Sequence, residues 1–167
     1  STIEAERERL AELRSLANYV IDTSSLKVAE MNSELDKLFE SKTKKDTFVI
    51  NFMSFGYKHG MPTEADWVID VRFIPNPYYV SSLKRLTGNN KKVAQYVMKQ
   101  DVTKEFVNRI QEIITRLVPC YVKEGKYSLT VAFGCTGGQH RSVTLANEFY
   151  KIFTSQGWRV TLEHREL

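Results

Sequence analysis

Three stretches of this chain are apolar almost without interruption: TFVINFMSF (Thr47–Phe55), WVIDVRF (Trp67–Phe73) and LTVAF (Leu129–Phe133). A half-buried strand alternates apolar and polar residues. A near-continuous run must instead be covered on both faces, as in parallel sheets flanked by helices. The intervals carry apolar residues at helical spacing in Lys91–Lys99, Lys104–Lys123 and Ser142–Gln156. Trp158–Glu163 forms a fourth strand, predicted at an edge because Arg and Glu interleave its apolar positions. Lys123-Glu124-Gly125-Lys126 reads as a helix stop, with Gly125 free to take the left-handed conformation. Strands alternating with helices predict an α/β fold: a mainly parallel central sheet with helices on both faces.

The first residues differ in character. Residues 3–18 predict an amphipathic helix, Tyr19–Thr23 a short strand, and Thr23 or Ser24 the cap of a second helix running to about Phe39. The polar Ser41–Asp46 segment reads either as a domain boundary or as an ordinary solvated loop. With a boundary there, residues 1–45 are linker helices and 46–167 the main domain. Because Ser1 falls directly inside a helical pattern, more chain is expected upstream.

Composition narrows the function classes. Of 167 residues, 42% are hydrophobic and 26% charged, enough for a core and too apolar for disorder. No run approaches the roughly 18 apolar residues of a membrane span. The charged N-terminus is unlike a secretion signal, so a cytoplasmic protein with no membrane partner is expected. Two cysteines do not make a disulfide scaffold. The net charge of +4 suits phosphate-bearing partners or simply solvated lysine faces.

The most informative loop is GCTGGQHRS (Gly134–Ser142), where the third strand meets the helix after it. Ligands of open α/β sheets sit beyond the carboxyl ends of strands. Gly134, Gly137 and Gly138 let backbone approach a guest closely. The first N–H groups of the next helix lack intrahelical partners and, with the dipole, favour an anion. Arg141 can fork onto a phosphate or carboxylate, Thr136 and Ser142 supply hydroxyls, and His140 can donate to or accept from the bound anion. Cys135-x5-Arg141-Ser142 also has the C-x5-R-[S/T] spacing of cysteine-dependent phosphatases, in which a thiolate attacks phosphorus. Against that alternative, Gly134 stands where such enzymes usually carry His, and neither Asp66 nor Asp70 is an evident general acid.

Further segments bear on the same site. Ser54–Gly60 (SFGYKHG) ends the first strand and brings Lys58 and His59 to a second lip. Asp70 and Arg72 within an apolar strand must face a wet cleft or satisfy one another. Asn76 follows in Pro75-Asn76-Pro77, and Tyr78-Tyr79 could stack an unpaired base. Lys84, Arg85, Lys91 and Lys92 form a basic patch around Gly88, suited to RNA phosphates or to a solvated loop. His59, His140 and His164 are too scattered to imply a metal site, and no structural zinc is expected.

GCTGGQHRS, SFGYKHG, Asp70–Pro77 (DVRFIPNP), Leu86-Thr87-Gly88 and the closing His164-Arg165-Glu166-Leu167 together resemble the RapZ/YvcJ family of bacterial nucleotide-binding proteins. The resemblance covers nearly the whole chain, with residues 1–23, ending in Val20-Ile21-Asp22-Thr23-Ser24, like the tail of the family's upstream P-loop kinase-like domain. It implies ATP and GTP binding and slow hydrolysis through a Walker A loop near the family's N-terminus. This chain has no G-x-x-x-x-G-K-[S/T], so no nucleotide cofactor is expected within it. The remainder resembles the C-terminal domain, which in the RNase-adapter branch binds small regulatory RNA and senses an amino-sugar phosphate. The resemblance further implies a protein partner and a homo-oligomer. Tyr78 departs from the adapter pattern, which has His after Pro-Asn-Pro.

Overall fold

The computed structural model describes residues 47–167 throughout, and residues 6, 9–11, 13, 16, 17, 19–28, 30, 31, 34 and 35 before them. The chain divides into two compact units, Ser1–Ser41 and Lys42–Leu167. In the first, every described position from 6 to 16 is helical. Residues 19–23 form no strand, against expectation. Strand geometry needs ladder partners, and the sheet is built entirely from later segments. The second helix begins at Val28, not at Ser24. The Asp22 carboxylate holds the Ser24 N–H at 2.9 Å in a local turn, and Glu30 accepts from the Lys27 N–H at 2.9 Å. That reach back over three residues is half of a capping box and makes Lys27 the N-cap. The predicted end near Phe39 and the 41–46 connection lie outside the described residues.

The second unit holds four parallel strands, β1 (Val49–Gly56), β2 (Trp67–Asp70), β3 (Ser128–Cys135) and β4 (Arg159–His164), in the order β2-β3-β1-β4. Among its described residues it also holds the helices α1 (Lys91–Met98), α2 (Asp101–Lys123) and α3 (Arg141–Ser155). The fold is α/β, with β1 and β3 central and β4 at an edge. β2 stops at Asp70, three residues earlier than its apolar run suggests. The Arg72 N–H donates to Asp70 Oδ1 at 2.9 Å, and this side-chain-to-backbone turn takes the chain out of the ladder.

Long helices and short turns divide the two faces. Ile50, Phe52, Leu129, Val131 and Phe133 point to one face and pack with buried residues of α1, α2 and α3. Met53, Phe55 and Ala132 point to the other, where Tyr57 and Ala65 of the β1–β2 connection cover them. α2 buries Thr103, Val107, Ile114 and Val118, one stripe at helical spacing, and its outer side carries the Glu112–Arg116 pair at 2.7 Å. Gly125 (φ 82°) and Gly157 (φ 79°) turn α2 into β3 and α3 into β4. In both turns the next residue's N–H reaches five back, Lys126 to the Tyr121 carbonyl and Trp158 to that of Phe153. No helix among the described residues is long and apolar enough to cross a membrane.

The core centres on Phe149, stacked on Phe133 with centroids 4.9 Å apart and tilted against Phe52 at 5.6 Å. It is fully buried, so truncation leaves a ring-sized cavity between α3 and both central strands. Phe149→Ala is expected to cost about 3–5 kcal/mol in chemical denaturation.

Candidate functional site

β1 and β3 are neighbours, and their carboxyl ends are paired Gly56 to Cys135. From there the chain leaves in opposite directions. The β1 connection goes to β2 over the Tyr57–Ala65 face, and that of β3 goes through α3 to β4 over the helical face. Such a divergence opens a crevice between adjacent strand ends, where open parallel sheets take ligands. The loop 136–140 lies in this crevice and α3 starts from it.

Backbone contacts fix the shape of the loop. A Cβ on Gly56 would stand 2.7 Å from the Gly137 carbonyl carbon and 2.8 Å from the Gly138 nitrogen, so β1 presses directly on the loop. Gly138 has φ +74°, and a Cβ there would collide with the Glu166 carboxylate. The Lys58 N–H donates to the Thr136 carbonyl at 3.3 Å and the Gly88 N–H to that of Gln139 at 2.8 Å. These bonds use loop carbonyls and leave the loop amides turned elsewhere. α3 has no side-chain cap at His140, and its first residues, Arg141 to Ala146, are all buried. Its amino end therefore faces the crevice as an uncapped donor set.

A cleft of about 330 Å3 opens here, lined by Lys58, Asn76, Tyr78, Tyr79, Cys135, Thr136, Gly137, Gln139, His140 and Arg141. Two cations line it and no carboxylate does. Arg141 is 4% exposed. Its NH1 donates to the Arg72 and Ile74 carbonyls, each at 2.9 Å, and NH2 reaches Thr136 Oγ1 at 3.4 Å. Among the described residues its Nε has no partner and no carboxylate lies within ion-pair distance. Carbonyls satisfy its N–H groups without cancelling its charge. A buried charge of this kind calls for a counter-ion. Lys58 Nζ would lie 3.9 Å from a Cβ on Gly137, so a second positive group stands over the loop.

Cys135 forms the floor, its Sγ 3.1 Å from Ser142 Oγ. Burial pushes this thiol up, but the Ser142 hydroxyl and the backbone N–H groups of Ser142, His140 and Gly138 outweigh burial and hold it below its ordinary value. His140 is 8% exposed. Burial lowers its imidazole despite hydrogen bonds to backbone at Leu86, Lys84 and Leu83, so the ring is neutral near pH 7. Its Nε2 is buried without a partner.

The remaining candidates lie elsewhere. Gly138 and Ser142 support the loop from behind and do not line the cleft. His59 is exposed and outside the lining. Arg72 contributes its carbonyl, while its guanidinium turns away to Asp70 at 2.7 Å and stacks 4.3 Å over Tyr57. The hydrogen bond from Arg72 holds the Asp70 carboxyl below the usual range. Lys84 stacks its Nζ 4.5 Å over Tyr78, joining the basic patch to the rim. Arg85 and Lys91 are exposed, and Lys92 lines a separate, more open hollow of about 600 Å3 with Tyr96 and Lys99. Another open hollow, of about 610 Å3 beside Trp158, holds no comparable convergence of donors and thiol. Gln139 and Glu166 belong to the site or its support without having been singled out. Gln139 lies inside GCTGGQHRS with no role that its spacing reports, and Glu166, in the closing His164–Leu167 segment, is 28 residues from Gly138 and meets it only through the fold.

His164 pairs its Nδ1 with Ser54 Oγ at 2.8 Å behind the loop and, like His140, is lowered by burial. The unfolded chain thus takes up protons on these rings before the folded chain does. The stability they contribute is complete above their ordinary pKa of 6.5 and is lost as pH falls through their lower folded values. The denaturation midpoint should fall between about pH 7.5 and about pH 5.5, and His164→Gln should flatten that dependence. Gly56→Ala should lower the denaturation midpoint, by about 1–3 kcal/mol of stability, because its Cβ would displace the 137–138 peptide.

The RapZ C-terminal domain family matches residues 48–167. A nucleotide-binding protein of Caldanaerobacter subterraneus subsp. tengcongensis, TTE1834, is 47% identical over 165 residues, 99% of this chain and 58% of that protein. One from a Thermoanaerobacter species, Teth514_1178, is 48% identical with the same coverage. One from Clostridium acetobutylicum, CA_C0511, is 45% identical over 166 residues, 99% of this chain and 56% of the relative. The chain therefore spans a little over half the length of these relatives. With the family's domain matched over residues 48–167, this chain belongs to the RapZ C-terminal domain family.

Proposed function

We propose that the second unit binds a phosphorylated small molecule, of the amino-sugar phosphate class, in the cleft over Cys135–Arg141. The observation that supports this reading is the buried Arg141 guanidinium, with no carboxylate within ion-pair distance among the described residues, at the uncapped end of α3. A phosphate monoester would complete that charge balance and accept from the loop amides. Asn76 and Gln139 can hydrogen-bond sugar hydroxyls, Tyr78 and Tyr79 offer faces to the ring, and the volume suits a ligand of that size. The relatives are named nucleotide-binding proteins and extend well beyond this match. ATP and GTP binding and slow hydrolysis are proposed for the upstream P-loop portion, in a cytoplasmic homo-oligomer with a protein partner.

Calorimetric titration of a hexosamine phosphate tests the reading. Each charge-assisted bond contributes about 1.5–3 kcal/mol, so Lys58→Ala should weaken binding by roughly 10- to 100-fold. Arg141→Ala should abolish it, with Arg141→Lys as the folded control that still loses the fork. Cys135→Ser should change affinity by less than about tenfold. No binding to the native chain would remove the proposal.

The Ser142–Cys135 pair and the lowered thiol favour a second reading, a cysteine-dependent phosphatase. Its weakness is the proton donor. No carboxylate lines the cleft, Asp70 is held by Arg72, and Asp66 is held by Lys126. Native chain that turns over no phosphate ester ends that reading, and turnover lost in Cys135→Ser would establish it.

RNA binding is proposed for Lys84, Arg85, Lys91 and Lys92, with Tyr78 as a stacking face. Each phosphate neutralised on single-stranded RNA adds about 0.7 to the slope of log affinity against log salt. Neutralising all four should flatten that slope by about 3. Salt-insensitive binding would remove RNA.

A further inference from the structure

We propose that Cys135 is an oxidation site for hydroperoxides, and that its sulfenic acid closes the cleft to phosphate. The inference rests on the anion reading above for the closing step, but not for the thiol chemistry. Three features converge on the sulfur. Ser142 Oγ lies 3.1 Å away as a donor to the thiolate. Lys58 and Arg141 line the same cleft as cations. Arg141 is more than nine-tenths buried there and its Nε–H lacks a partner among the described residues, so the site holds a buried donor awaiting an oxygen. These groups would stabilise a thiolate, and they would equally hold the hydroxide that departs from a peroxide.

The step balances with one hydroperoxide as co-reactant. The sulfur attacks one peroxide oxygen, a sulfur–oxygen bond forms and the oxygen–oxygen bond breaks. The departing hydroxide takes up the thiol proton and leaves as water, or as an alcohol from an alkyl hydroperoxide. The sulfur is oxidised by two electrons and the peroxide is reduced. The added oxygen projects from the cleft floor into the space an anionic oxygen would take, and accepts from the same donors. No second thiol can resolve it within the chain. Both cysteines are free; Cys120 is exposed in the last turn of α2, beside the start of β3, whereas Cys135 ends that strand. The oxidised state therefore stays a sulfenic acid until an external thiol reduces it.

Exposing the reduced full chain to hydrogen peroxide with a cyclic dione trap, and reading both cysteines by peptide mass spectrometry, tests this. Cys135 should be labelled severalfold faster than Cys120 although it is the more buried. Inorganic phosphate should slow labelling at Cys135 and not at Cys120. Peroxide should reduce phosphate affinity by about tenfold or more, with recovery in dithiothreitol and the same behaviour in Cys120→Ser. Ser142→Ala, checked for native circular dichroism, should slow Cys135 labelling severalfold. Labelling no faster at Cys135 than at Cys120 overturns the oxidation site. Unchanged phosphate binding after complete oxidation overturns the closing step. A reduced chain that takes no phosphate overturns the anion reading and the closing step with it, while the two labelling rates still decide the thiol.

Discussion

The site depends on how one positive charge is buried. Arg141 opens α3 and extends its guanidinium to the carbonyls of Arg72 and Ile74, beyond the end of β2. Those bonds tie the loop after β3 to the turn after β2 across the sheet. They also fix the direction of α3, whose Phe149 and Phe153 then meet Phe52 on β1. Core and cleft are thus set by the same residue. Removing a buried guanidinium from water is expensive, and two carbonyl contacts compensate only part of that. The remaining deficit of negative charge lies in the cleft.

The rest of the cleft is arranged consistently with that deficit. Asp70 is taken up by Arg72, whose guanidinium lies over the ring of Tyr57. Glu166 presses on Gly138 from behind the loop and does not line the cavity. The polar ladder of the open sheet face, Thr161 to Asn51 to Thr130, keeps its hydrogen bonds to itself. Only neutral or cationic groups line the cleft.

Much of this was legible in the sequence, for reasons that differ by element. β1 and β3 announced themselves because central strands need apolar residues on both faces, and α2 because one stripe of it is buried. The Gly134–Ser142 loop was legible because glycines, a thiol and a cation at a strand–helix junction have few other uses. What escaped was decided by contacts distant in sequence or by local competition. The turn closed by Asp70 shortened β2 and diverted the Arg72 side chain from the cleft. The carbonyl partners of Arg141 lie 69 and 67 residues before it, and no spacing rule reports such a bond. Residues 19–23 read as a strand from propensity, yet strand geometry is conferred by neighbours.

The grip on the loop at Gly56 and Gly88 is exerted largely through main-chain atoms, while Gly138 lies against the Glu166 carboxylate. Its shape can therefore survive exchange of the residues that point outward, such as Thr136, Gln139 and the tyrosines at the rim. A lineage built on this scaffold can re-line the cleft by altering a few exposed groups while the turn beneath them keeps its form.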